Sequence, residues 1–159
     1  MSIEIDRFKA LLRRWASGVA ILTSGEGERA CGMTVSSFTS VSAEPPLVLV
    51  CTARASQTRA RILETRRFAL SFLGQEQAAI SAHFASRGAE GARFEGIATE
   101  PCELGMPRID GALAHLECEL RSAHEEGTHT LLVGEIVHGE VGAEAPPLLY
   151  FDGAYRELR

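Results

Sequence analysis

The sequence lacks the short motifs that mark the most familiar nucleotide and hydrolase sites. It contains no GxGxxG turn after a strand, no P-loop, no HExxH pair and no GxSxG elbow. These motifs position phosphate-binding backbone, a zinc ion or an activated serine, so those kinds of site are not supported. A dinucleotide that binds this chain must therefore use other devices.

Long apolar runs and positive charge are also scarce. No apolar run reaches the roughly 18 residues that a membrane-spanning helix needs, and Glu4 and Asp6 stand where a signal peptide would be apolar. The formal net charge of −5 argues against a nucleic-acid binder. The arginines between Arg54 and Arg67 indicate a solvated helix face. We expect a cytoplasmic protein with no membrane segment and no nucleic-acid partner.

Cysteine and histidine are too widely spaced for a metal centre. The four cysteines include no CxxC pair, and the five histidines show no HxxxH spacing. We expect no metal site, and we interpret the cysteines as small buried apolar residues. With 159 residues, of which 45% are hydrophobic, the chain predicts a single domain, residues 1–159.

The hydrophobic pattern predicts many strands and few helices. Apolar residues at i, i+3, i+4 and i+7, from Phe8 to Trp15, form one stripe on a helix of about Ile5 to Ala16. Ser56 to Thr65, capped by Ser56, and Gln75 to Phe84 indicate two further helices. Residues 85–110, rich in Gly, Ala and Pro, predict a long loop. Strands are predicted over residues 19–23, 31–37, 47–51, 68–73, 116–120, 128–141, 148–151 and 155–158.

The predicted strands follow one another with little helix between them. Asp152-Gly153, between the last two strands, is a pair favoured in tight hairpin turns. This order favours a mainly β, antiparallel barrel or sandwich over a sheet of parallel strands with crossover helices.

Hydroxyl side chains cluster beside the apolar strands. Thr34, Ser36, Ser37, Thr39, Ser40 and Ser42 lie within one segment, and Thr52 follows the next strand. A buried hydroxyl without a partner costs about 1–3 kcal/mol. A flavin, whose ring edge and ribityl chain carry many donors and acceptors, would supply partners. A Ser/Thr-rich strand is the alternative interpretation, since threonine favours strands.

The segment from Cys51 to Thr58 brings hydroxyls and backbone N–H groups to a predicted helix start. Helix N-termini bind anions, so a phosphate is one interpretation and simple capping by Ser56 is the other. His129 begins the longest predicted strand and shares a face with Leu131 and Val133. A histidine on such a face is either a structural residue or a contact to a ligand.

Four stretches, taken together and in order, resemble the flavin-reductase-like family, whose fold is the FMN-binding split β-barrel. They are Gly18–Thr23, Gly32–Ser42 followed by Pro45–Cys51, Gly127–Glu135, and Leu149–Tyr155. The resemblance covers roughly residues 5–158. It implies an antiparallel, Greek-key-like split barrel that forms a homodimer, with flavin near the subunit interface.

The resemblance also implies roles for individual residues. The stretch Thr34, Val35, Ser36 and Ser37 corresponds to contacts with the flavin ring and ribityl chain. The stretch Cys51, Thr52, Ala53, Ser56, Gln57 and Thr58 corresponds to contacts with ribityl and phosphate, which Ala85, Ser86, Arg87 and Arg93 would complete. On the nicotinamide side the corresponding residues are His129, Tyr150, Phe151, Asp152, Gly153 and Tyr155.

The implied activity is reduction of FMN or FAD by NADH or NADPH. A hydride moves from nicotinamide C4 to flavin N5, with His129 on the nicotinamide, and the reduced flavin supplies a partner monooxygenase. A flavin- or heme-binding protein of the same fold without reductase turnover is the alternative, and an interaction domain without a cofactor is a third. One departure concerns His129: the family pattern Gly-Asp-His is replaced by Gly127-Thr128-His129.

Overall fold

The structure is a computed structural model that describes residues 2–86 and 93–158. Within these residues the chain forms mainly antiparallel strands with three short α-helices. The helices are α1 (Ile5–Leu12), α2 (Gln57–Thr65) and α3 (Ala78–Ala85). The strands are β1 (Ser17–Gly18), β2 (Ala20–Ser24), β3 (Cys31–Val35), β4 (Phe38–Ala43), β5 (Pro46–Ala53), β6 (Arg67–Phe72), β7 (Thr99–Pro101), β8 (Pro107–Ile109), β9 (Ala114–Glu126), β10 (His129–Val141), β11 (Leu149–Phe151) and β12 (Ala154–Arg156).

Seven of the strands form one antiparallel sheet in the order β3-β2-β6-β9-β10-β5-β4. The two edge strands, β3 and β4, are consecutive in the chain and are joined only by Ser36 and Ser37. Both edges must therefore meet at this link, which requires the sheet to curl into a barrel with a seam between β3 and β4. The predicted mainly β fold, an antiparallel split barrel with short helices, is confirmed.

The barrel core follows from the alternation of side chains along β2, which is buried on both faces. Ala20 and Leu22 point into the cluster that fills the barrel, together with buried residues of the other strands and Ile62 of α2. Val19 and Ile21 point the other way, into a second cluster with Phe84 of α3. Helix α3 thus covers the outside of β2, and α2 contributes to the barrel interior.

Two local predictions agree closely with the structure. Ser56 is the N-cap of α2, and its side chain accepts a hydrogen bond from the backbone N–H of Arg59. Asp152 and Gly153, with φ of 51° and 77°, turn the chain between β11 and β12. Positive φ at both positions is the geometry of a type I′ hairpin turn.

The loop predicted over residues 85–110 is wrong in its second half. Thr99–Pro101 and Pro107–Ile109 pair as the antiparallel hairpin β7–β8. Arg108 joins the two strands by its ion pair with Glu100, and buried Ile109 anchors the hairpin in the second cluster. The sequence did not predict this hairpin because its prolines and glycines indicate a loop. Only one side chain of β8 is deeply buried, so the sequence shows no alternating pattern.

Helix α1 is shorter than predicted, since it ends at Leu12 rather than near Ala16. The chain turns through Arg13–Trp15 and then enters β1, where Ser17 pairs with Tyr150 and Gly18 with Leu149. Among the described residues, no helix has the length and apolar character required to cross a membrane.

Candidate functional site

A cleft of about 560 Å³ opens at the barrel seam, beside Ser36 and Ser37. We call it the seam cleft. One wall comes from α1 and the turn after it, another from β4 and β5, and the hairpin β11–β12 forms the rim. Its lining residues are Phe8, Lys9, Leu12, Arg13, Trp15, Ser17, Ser36, Ser37, Phe38, Thr39, Leu49, Cys51, Tyr150 and Asp152.

A second cavity, of about 430 Å³, adjoins the seam cleft and shares Trp15, Ser17, Ser36 and Phe38 with it. Its remaining lining comes mainly from apolar residues of β2, β3, β6 and the chain before β11. The two cavities together offer a largely apolar space, and the hydroxyl residues in its lining are Ser17, Ser36, Ser37 and Thr39.

Strand alternation decides which predicted residues reach the seam cleft. Along β5, Leu49 and Cys51 face outward and line the cleft, whereas Val50 and Thr52 face the barrel interior. Cys51 is accordingly half-buried, and its partial burial raises the pKa of its thiol. The interpretation of all four cysteines as buried holds for the other three residues and is wrong for Cys51.

Three of the predicted site residues turn their side chains away from the cleft. Val35 is part of the barrel core and reaches only the adjoining second cavity. The hydroxyls of Thr52 and Thr58 are buried and have no hydrogen-bond partner within the described residues. Any contact of these residues with a ligand in the cleft would have to use the backbone.

The two serines that link β3 to β4 at the seam differ in their hydrogen bonding. Ser37 Oγ donates to the Cys51 carbonyl over 2.8 Å and accepts from the Cys51 N–H over 3.3 Å. Ser36 is exposed, lines the cleft, and makes no side-chain hydrogen bond within the part of the chain that the structure describes. Ser36 is thus the hydroxyl of this link that is available to a ligand.

The start of α2 lies beside β3. Ser56 Oγ donates to Met33 Sδ over 3.4 Å in addition to capping the helix. Gln57 begins the helix and is exposed, and the first N–H groups of a helix have no partner within it. Arg59 is committed to Thr130 Oγ1 at 2.7 Å and to Glu125 at 2.6 Å. The local groups available to an anion are therefore the backbone N–H groups at the helix start, because the Ser56 hydroxyl already donates to Met33.

His129 is the exposed first residue of β10 and lies opposite Ala53, the last residue of β5. Thr128 Oγ1 lies 2.9 Å from His129 Nδ1, at hydrogen-bond distance. The threonine that replaces the aspartate of the family pattern therefore still contacts the ring. As predicted, Leu131 and Val133 alternate with buried residues and share the outward face with His129.

The β11–β12 hairpin presents two tyrosines at the rim. Tyr150 lines the seam cleft and contacts Tyr155 edge to face, with ring centroids 5.9 Å apart. Asp152 also lines the cleft, and its N–H donates to the Arg13 carbonyl over 3.0 Å. Phe151 is half-buried between them, and Gly153 completes the turn.

The residues after α3 gather on the far side of β3. Arg93 Nη1 donates to the Gly32 carbonyl over 2.7 Å, and Nη2 donates to the Ser86 carbonyl over 3.4 Å. Ala85 is the exposed last residue of α3. Arg87 lies outside the described residues. The structure thus brings Ser86 and Arg93 to the strand that carries Thr34, but not into the seam cleft.

The sequence did not identify the α1 side of the cleft as part of the site. Phe8 and Trp15 line the cleft, yet 48% and 79% of their surfaces are exposed. An apolar helical stripe predicts a buried face, and the sequence holds no signal for what covers it. Ser81 was also missed, because nothing in a single buried serine marks a contact.

Comparison with known proteins agrees with this geometry. The family described as "Flavin reductase like domain" matches residues 12–159. The 4-hydroxyphenylacetate 3-monooxygenase reductase component of Thermus thermophilus is 37% identical over 153 residues, which is 96% of each chain. FMN reductase (NADH) SmoA of Agrobacterium fabrum is 36% identical and is matched over 93% of this chain and 83% of its own.

A solved structure also covers the whole chain. The NADH:FAD oxidoreductase SgcE6 of Streptomyces globisporus, in complex with NAD and FAD fragments, superposes with a TM-score of 0.91 and 30% identity. The match covers 100% of this chain and 97% of that one. This chain belongs to the flavin reductase like family.

Proposed function

We propose that the protein is the reductase component of a two-component monooxygenase, which reduces FMN or FAD with NADH and passes the reduced flavin to a partner oxygenase. The observation that carries the proposal is the composition of the seam cleft. Ser36 and Ser37 come from the stretch predicted to contact flavin, and Tyr150 and Asp152 come from the stretch predicted to contact nicotinamide. Two reacting rings need one shared space, and both stretches line the same cavity.

The residues of the cleft suit a flavin. Ligand pockets typically measure roughly 300–1,000 Å³ and combine apolar walls with a few polar groups, and the cleft of about 560 Å³ lies within this range. Trp15, Phe38 and Leu49 offer apolar surface to a flat ring. Ser36 offers a hydroxyl that has no partner within the described residues, and so can hydrogen-bond to the polar edge of the ring.

We assign the binding roles accordingly. Ser36, Ser37 and the backbone of Thr34–Val35 hold the ring and ribityl chain, and the cap of α2 at Ser56 holds the phosphate. The phosphate would lie at the free N–H groups of Gln57 and Thr58, where the helix dipole favours an anion. Ser86 and Arg93, which lie beside β3, complete this side.

The bound flavin supplies a ring that accepts a hydride, and the protein supplies placement. His129, Tyr150 and Tyr155 position the nicotinamide, because hydride transfer depends on two rings stacked at about 3–3.5 Å. Backbone N–H groups at the Ser36–Ser37 link favour negative charge on the nearby ring edge.

The exposed apolar surface supports a homodimer. Phe8, Leu12 and Trp15 leave about half or more of their surface exposed, at 48%, 59% and 79%. Leu49 and Leu131 add a half-buried face on β5 and β10. Contiguous apolar surface of this kind marks interfaces between proteins, and homodimers are mostly two-fold symmetric.

Steady-state oxidation of NADH, followed by absorbance with FMN, FAD and no flavin, tests the proposed function. We expect flavin-dependent turnover and saturation with both NADH and flavin. An assay with the purified oxygenase component of the same system then tests transfer of reduced flavin. Tight flavin binding without NADH oxidation would contradict the proposal and would favour a flavin-binding protein without turnover.

A further inference from the structure

Ser81 lies between the two predicted cofactor stretches without belonging to either. It is in the middle of α3 and is fully buried. Its carbonyl oxygen accepts a hydrogen bond from Thr34 Oγ1 over 2.6 Å. Its hydroxyl lies 2.7 Å from the hydroxyl of Tyr155. One buried residue thus binds a side chain on the flavin side and a side chain on the nicotinamide side.

Both contacts lead to the seam cleft through neighbouring residues, since neither Thr34 nor Tyr155 lines it. Thr34 precedes Val35 and the Ser36–Ser37 link, so its hydrogen bond fixes the strand end from which the link leaves. On the other side, Tyr155 packs edge to face on Tyr150, which lines the cleft. A shift of Ser81 would therefore move both sides of the cleft: the Ser36–Ser37 link through Thr34, and Tyr150 through Tyr155.

The hairpin that carries the tyrosines is attached at its start, where buried Leu148 donates its N–H to the Leu73 carbonyl, but its outer part has few other anchors. Its sheet contains only β1, β11 and β12, and β1 contributes just two residues. Beyond this pairing, the described residues hold the turn by the hydrogen bond from Asp152 N–H to the Arg13 carbonyl and by a 3.9 Å ion pair between Arg14 and Asp152. The bond to buried Ser81 is the hairpin's polar attachment to a helix of the barrel wall.

We propose that Ser81 is a positioning residue for hydride transfer. It holds Tyr155, and through it Tyr150, at a fixed distance from the flavin side of the cleft, and it touches neither cofactor. The inference rests on the proposed function and adds to it the group that sets the spacing of the two walls. Loss of the hydroxyl leaves Tyr155 without its buried partner and lets the hairpin move.

The decisive variant is Ser81→Ala, compared with Ser24→Ala as a matched control. Ser24 is also fully buried, and its hydroxyl donates to the Arg67 carbonyl and contacts Thr65, at the other end of β2 from the cleft. Both variants remove one buried hydroxyl. The measurements are the anaerobic stopped-flow rate of hydride transfer, the KM for NADH, the flavin Kd and the Tm.

We expect Ser81→Ala to slow hydride transfer by about 5- to 20-fold, with a flavin Kd within about twofold of the wild-type value. Ser24→Ala should lower the Tm comparably and leave the rate unchanged. Ser81→Thr, which keeps a hydroxyl, should restore most of the rate. Tyr155→Phe should match Ser81→Ala, and the double variant should be no slower than either single variant, because both remove the same contact.

Several outcomes would overturn the inference. Wild-type hydride transfer in Ser81→Ala, with a lowered Tm, would make Ser81 a packing residue only. Additive losses in the double variant would show that Ser81 and Tyr155 act separately. A wild-type protein that oxidises no NADH would overturn the proposed function and this inference with it. An active wild type whose rate of hydride transfer is unchanged in Ser81→Ala would overturn the inference alone.

Discussion

Thr128 Oγ1 lies 2.9 Å from Nδ1 of His129, so the residue before the histidine restrains its ring. We expect His129→Ala to lower kcat/KM for NADH by about 10- to 100-fold, because one hydrogen bond or stacking contact is worth about 1–3 kcal/mol. Flavin affinity should barely change. Stopped-flow kinetics and a melting curve on one preparation measure both effects.

Thr128 itself gives a graded version of this test. Thr128→Val removes the hydroxyl and keeps the shape, and we expect a smaller loss, about 3- to 10-fold in kcat/KM for NADH. Thr128→Ser keeps the hydroxyl and is the matched control. If valine and serine at this position behave alike, the hydrogen bond does not orient His129. Normal kinetics with a lowered Tm in His129→Ala would make the histidine a packing residue.

Substitutions of Ser56 can distinguish its role in helix capping from its proposed role in phosphate binding. Aspartate and asparagine both cap helices well, so α2 should form in Ser56→Asp and in Ser56→Asn. Only aspartate places a negative charge at the proposed phosphate position. We expect Ser56→Asp to weaken flavin binding by about tenfold or more relative to Ser56→Asn, by like-charge repulsion. Fluorescence titration measures the Kd, and equal values for the two variants would remove the phosphate from this helix start.

Thr52 and Thr130 form a matched pair of buried threonines, since they lie opposite each other on β5 and β10. Thr52 Oγ1 has no partner within the described residues, whereas Thr130 Oγ1 accepts from Arg59 Nε over 2.7 Å. We expect Thr52→Val to be neutral or to stabilise by up to about 1 kcal/mol, and Thr130→Val to destabilise by about 1–3 kcal/mol.

Denaturant unfolding of both variants measures the difference. Flavin titration adds a second test of Thr52, whose predicted role is contact with the cofactor. A weakened Kd in Thr52→Val, with unchanged stability, would show that the hydroxyl turns toward the ligand when flavin is bound.

Because the pKa of buried His115 is lowered, we expect the protein to lose stability in mild acid. Its Nδ1 lies 3.1 Å from Ser71 Oγ, which accepts from the Ile109 N–H. Burial, followed by the nearby Arg108 guanidinium, lowers the pKa of His115 below its usual 6.5, against smaller opposing effects of neighbouring carboxylates. The unfolded chain therefore takes up a proton first, so the free energy of unfolding falls as pH drops from 6.5 toward the folded pKa.

Urea midpoints between pH 7 and pH 5.5 measure this effect. The variant His115→Gln has no titrating ring and should show a flatter profile over the same interval. Equal slopes in the two proteins would contradict the assignment of this pH dependence to His115.

The exposed apolar stripe of α1 allows the proposed homodimer to be tested. Leu12→Glu places a charge in the exposed apolar surface that we assign to the dimer interface, and we expect it to give monomers in light scattering at micromolar concentration, where the wild type gives twice the chain mass. Val141→Glu is the matched control, because Val141 is 88% exposed and lies outside the stripe and the cleft. A wild-type protein with monomer mass would contradict the dimer.

Much of the fold was predictable because local rules determine it. The alternation along β10, the Ser56 cap and the Asp152-Gly153 turn each depend on a few neighbouring residues. Strand β5 was predicted as an apolar run, and its alternation between barrel interior and cleft was not predicted. The hairpin β7–β8 escaped prediction because an ion pair and one buried isoleucine stabilise it rather than a repeated pattern.

The candidate site was predictable only as separate segments. Hydroxyls and a helix start indicated ligand contacts, and the resemblance supplied their roles. The inward orientation of Thr52 and Thr58 depends on the barrel's curvature and on the packing of α2, which a motif does not specify. The contacts of Ser81 join residues 47 and 74 positions apart in the chain, and no sequence pattern marks such a pair.

The two-residue link between β3 and β4 has a consequence for how the barrel forms. Because only two residues connect the edge strands β3 and β4, bringing these edges together closes a very short loop and costs little chain entropy. The larger costs lie in the long-range pairings of the sheet, such as Arg67 with Glu119 across about 50 intervening residues and Ala53 with His129 across about 75. Topology of that kind governs folding rate. Substitutions at the β6–β9 pairing should therefore affect the rate of folding more than substitutions at the seam, even though the ligand cleft lies at the seam.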